Sequence, residues 1–109
     1  KKKILEILKV IDKEYGTYEY RRLDMKYPDA KKSKLMELLK TDPPKKVLDK
    51  DVVTVKDTDG YKLICEDSSW LMLRLSGTEP ILRIYSEAPS ERRALAMIEF
   101  GKKIADNIN

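Results

Sequence analysis

Two arginines, Arg74 and Arg83, bracket the short loop Ser76-Gly77-Thr78-Glu79-Pro80. Guanidinium groups present planar forks of donors to an oxyanion, and the hydroxyls of Ser76 and Thr78 can add more. Gly77 lets backbone N–H groups come close to a bound oxygen. The segments Trp70 to Leu75 and Ile81 to Ala88 alternate as strands, and symmetric pairing about the loop sets their register. Leu73 then faces Ile84 and Leu75 faces Leu82 on one side, while Met72 faces Tyr85 and Arg74 faces Arg83 on the other. Directly opposed like charges destabilise a strand pair by some tenths of a kcal/mol, so the arginine pair calls for an anion between them. Glu79 would repel that anion and is expected to turn away and brace Arg83 or Arg74. A plainer reading of the same residues is two solvated arginines beside ordinary turn chemistry.

Composition narrows the chemistry available around this loop. The 109 residues contain no histidine and one cysteine, Cys65. Imidazole acid-base catalysis, His-containing zinc sites and thiolate metal clusters are thereby excluded, as is an intrachain disulfide. Cys65 alternates with Leu63 and Tyr61 and reads as a small buried hydrophobe. Asp57 and Asp59 flank a turn glycine and read as turn residues, so no metal is expected here. The net charge is only +4, with 23 basic against 19 acidic residues, and the basic residues are scattered along the sequence. Nucleic acid is therefore not expected as a partner. No apolar run approaches the roughly twenty residues of a membrane span, and no signal peptide is evident, so the expectation is a cytoplasmic domain with no membrane partner.

The elements that must position the loop follow from periodicity. Ile4, Leu5, Ile7, Leu8 and Ile11 mark an amphipathic helix from Lys2 to Tyr15, ended by Gly16. Thr17 to Tyr27 suits a strand that stops before Pro28, and Ala30 to Thr41 a short helix that Pro43 and Pro44 prevent from continuing. A connection runs to Lys50. Val52 to Lys56 and Tyr61 to Glu66 read as a hairpin about Asp59-Gly60, followed by a turn at Asp67, Ser68 and Ser69. Trp70, Met72 and Tyr85 are read as packing residues. Ser90 caps a closing helix whose buried stripe holds Ala94, Met97, Ile98, Gly101, Ile104, Ala105 and Ile108. The order predicts one α+β domain over residues 1–109: an antiparallel sheet of about four strands, helices on one face and a closing C-terminal helix.

The string Arg74-Leu75-Ser76-Gly77-Thr78-Glu79-Pro80, followed by Ile81-Leu82-Arg83-Ile84-Tyr85-Ser86-Glu87-Ala88, resembles the C-terminal signature of the phosphoglucomutase and phosphomannomutase family. The resemblance extends to Asp59-Gly60, Trp70, the Tyr-containing segment after Gly16 and the Ser90-led helix, with a looser match in the central connection. It implies that Arg74, Ser76, Gly77, Thr78 and Arg83 bind the phosphate of a phosphosugar. It further implies that phosphoserine donates to the sugar, that a bisphosphate intermediate reorients, and that the other phosphate returns to serine. The phosphoserine, a magnesium site and the sugar-recognition loop belong to the family's preceding domains. The implied partners are thus those domains, the phosphosugar and the bisphosphate, with no cofactor in this domain, magnesium in the full-length enzyme, and no activity from the domain alone. The Arg83-Ile84-Tyr85 stretch resembles the glucose and mannose branch more than the phosphoglucosamine mutases. A rival from another class is a non-enzymatic module that uses a basic sheet face for nucleic acid or a protein partner.

Overall fold

A computed structural model describes residues 18–58 and 60–108. The helix expected from Lys2 to Tyr15 lies outside them. The chain order is β1 (Glu19–Lys26), α1 (Asp29–Thr41), β2 (Lys46–Val47), β3 (Lys50–Lys56), β4 (Tyr61–Cys65), β5 (Trp70–Leu75), β6 (Ile81–Ala88) and α2 (Glu91–Asp106). The fold is α+β, as the element order predicts. Its antiparallel sheet has six strands in the order β1-β6-β5-β4-β3-β2, against about four expected.

The sixth strand, β2, lies in the central segment, read from sequence as a connection. Lys46 pairs with Asp51 and Val47 with Lys50, so a tight hairpin extends the sheet edge and β3 begins at Lys50. Leu48 makes this turn at φ 59°, a left-handed conformation that leucine does not advertise in sequence. A bulge between Val52 and Thr54 leaves Val53 without a cross-strand partner in β4 and 62% exposed. Arg93 in α2 holds the hairpin turn through a 2.8 Å ion pair with Asp49. Its hydrogen bond keeps the Asp49 carboxyl below the usual carboxylate range.

Strand alternation sorts the sheet into two faces. Leu63, Leu71, Leu73, Leu82, Ile84 and Ala88 are buried on the face that meets the helices. Leu35 and Leu39 of α1 and Ala94, Met97 and Ala105 of α2 complete one continuous core. Burial pushes the Cys65 thiol up from its ordinary value, with a smaller opposing effect from Ser69, which fits the packing role read for it. Gly101 faces Ile84 so closely that a Cβ would come to 3.0 Å of the Ile84 methyl Cγ2. Two buried polar contacts tie α2 down: the Tyr27 hydroxyl donates to the Ala105 carbonyl at 3.0 Å, and Ser86 Oγ donates to the Ala94 carbonyl at 2.7 Å.

The Ser90 cap forms as expected, its hydroxyl accepting from the Arg93 N–H at 3.2 Å. Ser90→Ala removes that acceptor from the first turn of the helix that closes the core. It should destabilise the fold by about 1 kcal/mol, measurable as a lower midpoint in urea. An unchanged midpoint would show that solvent satisfies this helix start equally well.

Candidate functional site

The site begins with β5 and β6. Their pairing places Leu73 opposite Ile84, Leu75 opposite Leu82, Met72 opposite Tyr85 and Arg74 opposite Arg83, which is the register counted from the sequence. Both arginines therefore rise from the sheet face away from the helices, at the mouth of the loop. Three cross-strand rows run over this open face. The first is Asp24, Arg83 and Arg74; the second is Arg22, Tyr85, Met72, Lys62 and Lys56; the third is Tyr20, Glu87, Trp70, Ile64 and Thr54. Cations far apart in the sequence are thus gathered on one surface. The Tyr20 ring lies 6.2 Å from Trp70 and 6.4 Å from Tyr85, and Lys62 Nζ stands 4.3 Å above the Trp70 ring.

The two arginines differ in surroundings. Arg83 is 29% exposed and pairs with Asp24 at 3.6 Å, while Asp24 also takes both 3.0 Å bonds of the Arg22 fork. Glu79 pairs with neither Arg83 nor Arg74, contrary to the sequence expectation. The brace comes instead from β1, whose pairing with β6 puts Asp24 opposite Arg83. Arg74 is exposed and has no ion-pair partner among the described residues. It lines a cavity of about 280 Å³ with Lys56, Thr58, Gly60, Lys62 and Met72. That hollow lies on the Arg74 side of the hairpin and includes none of Ser76, Gly77, Thr78 or Arg83.

Within the loop, Ser76 Oγ accepts from the N–H groups of Glu79 at 3.1 Å and Thr78 at 3.3 Å. Those bonds use the oxygen's lone pairs and leave the hydroxyl proton to donate. Ser76 N–H donates to Ile81 O at 3.1 Å and Ile81 N–H to Glu79 O at 2.8 Å, closing the loop base. The Tyr27 N–H holds Pro80 O at 2.7 Å, which ties the exit to the end of β1. The Gly77 N–H meets no acceptor among the described residues, and a Cβ on Gly77 would meet none of their atoms within 4 Å beyond its two chain neighbours. Internal packing therefore does not demand glycine there.

One residue absent from the sequence reading reaches this loop. Lys32 of α1 is 17% exposed, and its Nζ donates to Ser76 O at 2.7 Å and Glu79 O at 2.6 Å. It also pairs with Asp29 Oδ1 at 3.0 Å. Its position in a lysine-rich helix gives no signal of this, because Lys31, Lys32 and Lys34 look alike until α1 is docked.

Residues 24–100 match the model of the phosphoglucomutase/phosphomannomutase C-terminal domain. The chain belongs to this family. A phosphopentomutase from Thermococcus kodakarensis is 29% identical over 96 residues, covering 88% of this chain and 21% of that protein. A phosphoglucomutase/phosphomannomutase of the same organism is 48% identical over 52 residues, 48% of this chain and 11% of its own length. A probable phosphoglucosamine mutase from Methanopyrus kandleri is 37% identical over 81 residues, 74% of this chain and 17% of its own. The chain thus spans about a fifth or less of the curated relatives named here. As a member of the phosphohexomutase family it carries the loop from Arg74 to Arg83 inside the matched region.

The magnesium implied for this family's full-length enzymes does not suit the residues described here. They bring together no group of three or more His, Cys, Asp or Glu side chains that could hold a metal ion, and the carboxylates nearest the loop, Asp24 and Asp29, are paired with Arg83 and Lys32. A hard divalent cation needs oxygen ligands, usually including carboxylates. No described helix is long and apolar enough to cross a membrane.

Proposed function

We propose that Arg74, Ser76, Gly77, Thr78 and Arg83 bind the phosphate group of a phosphosugar. In this reading the chain acts as the C-terminal domain of a larger phosphohexomutase that interconverts hexose 1-phosphate and hexose 6-phosphate through a bisphosphate. The observation that carries it is the placement of Arg74 opposite Arg83, on one face, at the mouth of a loop with spare donors. Charge-assisted hydrogen bonds contribute about 1.5 to 3 kcal/mol each, so two guanidinium groups with Ser76 Oγ, Thr78 Oγ1 and the Gly77 N–H suffice to orient a dianion. Recognising phosphate, and not a particular hydroxyl, lets one clamp accept the substrate in either orientation. The domain supplies positioning and electrostatic stabilisation only, and is inactive by itself; phosphoserine and magnesium belong to preceding domains.

Titration of the chain with inorganic phosphate or glucose 1-phosphate should move the amide signals of Ser76, Gly77 and Thr78. Shifts confined to Lys56 and Lys62, or to β1, would refute the clamp and favour a general basic surface.

A further inference from the structure

We infer that Lys32 is a positioning residue for the phosphate clamp: it orients the Ser76–Gly77 peptide so that the Gly77 N–H is presented as a donor. The inference rests on the phosphate-binding reading above. Two of the three ammonium protons of Lys32 are donated to Ser76 O and Glu79 O, and Asp29 Oδ1 stands at ion-pair distance, 3.0 Å, from the same nitrogen. A trans peptide is planar, with its carbonyl and N–H pointing in opposite directions. Holding Ser76 O against Lys32 therefore turns the Gly77 N–H away from α1. That N–H meets no acceptor among the described residues, and none of them beyond its chain neighbours fills the space where a Gly77 side chain would stand.

The second anchor, Glu79 O, belongs to the peptide that precedes Pro80, which has no N–H to present. Lys32 thus grips both ends of the Ser76–Glu79 stretch and frees one donor at its centre. Its ammonium charge is offset by Asp29, so its contribution is orientation of the loop and not a further long-range attraction for the ligand. Residues at the loop that make no contact with α1 cannot supply this constraint. It also couples the loop to the core, because Leu35 and Leu39 on the same helix are fully buried.

The test compares the unsubstituted chain with Lys32→Met, which keeps the aliphatic stem, and Lys32→Arg, which keeps charge and donors. Inorganic phosphate is the titrant and amide shifts are the readout. Lys32→Met should move the free-state signal of Gly77 and raise the phosphate Kd about tenfold, the loss expected of one misaligned donor to a charged acceptor. Signals of the core strands should stay in place, and Lys32→Arg should recover most of the affinity. If Lys32→Met binds phosphate as tightly as the unsubstituted chain, the role of Lys32 is overturned while the clamp stands. Loss of the native spectrum across the core in Lys32→Met, or equal weakening in both variants, would also overturn it, by making Lys32 a general support or a side chain whose donors are not used. If the unsubstituted chain itself shows no shift at Ser76 to Thr78, the phosphate reading falls and carries this inference with it.

Discussion

Arg74→Ala in the full-length enzyme should lower kcat/KM at least about tenfold, the kinetic equivalent of one charged contact of roughly 1.4 kcal/mol. Of the two arginines, Arg74 is the informative one to remove. Arg83 carries a partial brace from Asp24, so its loss removes an ion pair between β1 and β6 as well as any ligand contact, while Asp24 keeps the Arg22 fork. Arg74 is exposed, has no ion-pair partner among the described residues, and stands beside the hollow that Lys56 and Lys62 share. Its replacement should leave the melting temperature nearly unchanged, as is usual for surface positions outside a network. A fall in kcat/KM with the fold intact supports the clamp, whereas unchanged kinetics would remove Arg74 from it.

The second large effect is on stability. Gly60 sits at φ 139°, a conformation L side chains rarely adopt, where the β3–β4 hairpin turns back over β5. A Cβ there would lie 2.7 Å from the Leu73 carbonyl oxygen and 3.2 Å from both Cα and Cβ of Arg74. The carbonyl belongs to the β5 backbone and cannot rotate aside as a side chain could. Gly60→Ala should therefore destabilise the fold by about 2 to 4 kcal/mol, combining backbone strain with a steric clash. For a domain of this size that is a fall of roughly 10 °C or more in Tm, readable by circular dichroism. Because the displaced atoms carry Arg74, the same substitution should weaken phosphate binding in the folded fraction. A Tm within about 3 °C of the original would mean the hairpin relaxes at little cost.

These two predictions draw on different levels of information. The placement of Arg74 opposite Arg83 could be anticipated from spacing alone. Strand periods of two residues, a five-residue loop and hydrophobic alternation leave one register that puts Leu73, Leu75, Leu82 and Ile84 on the core face, and that register sets Arg74 opposite Arg83. The Gly60 prediction depends on tertiary structure. A glycine in a turn is easily foreseen, but its proximity to Leu73 and Arg74 depends on how the β3–β4 hairpin lies beside β5.

The same division holds across the molecule. Local patterns in the sequence were enough for α1, α2, the Ser90 cap, the strand pair β5–β6 and the buried place of Cys65, because each depends on residues near one another in the chain. They were not enough for the two-residue strand β2, whose turn uses a left-handed leucine, nor for the pairing of β1 with β6 that supplies Asp24 in place of Glu79. They also missed Lys32, which acts 44 residues away from Ser76. Charges dispersed along the sequence became one basic face only when five strands were laid side by side. Side-chain periodicity reports which way a residue points relative to its own strand or helix, so it can specify the inner and outer faces. Which distant residue stands next to it is settled by long-range packing and strand order, and no local pattern encodes that neighbour.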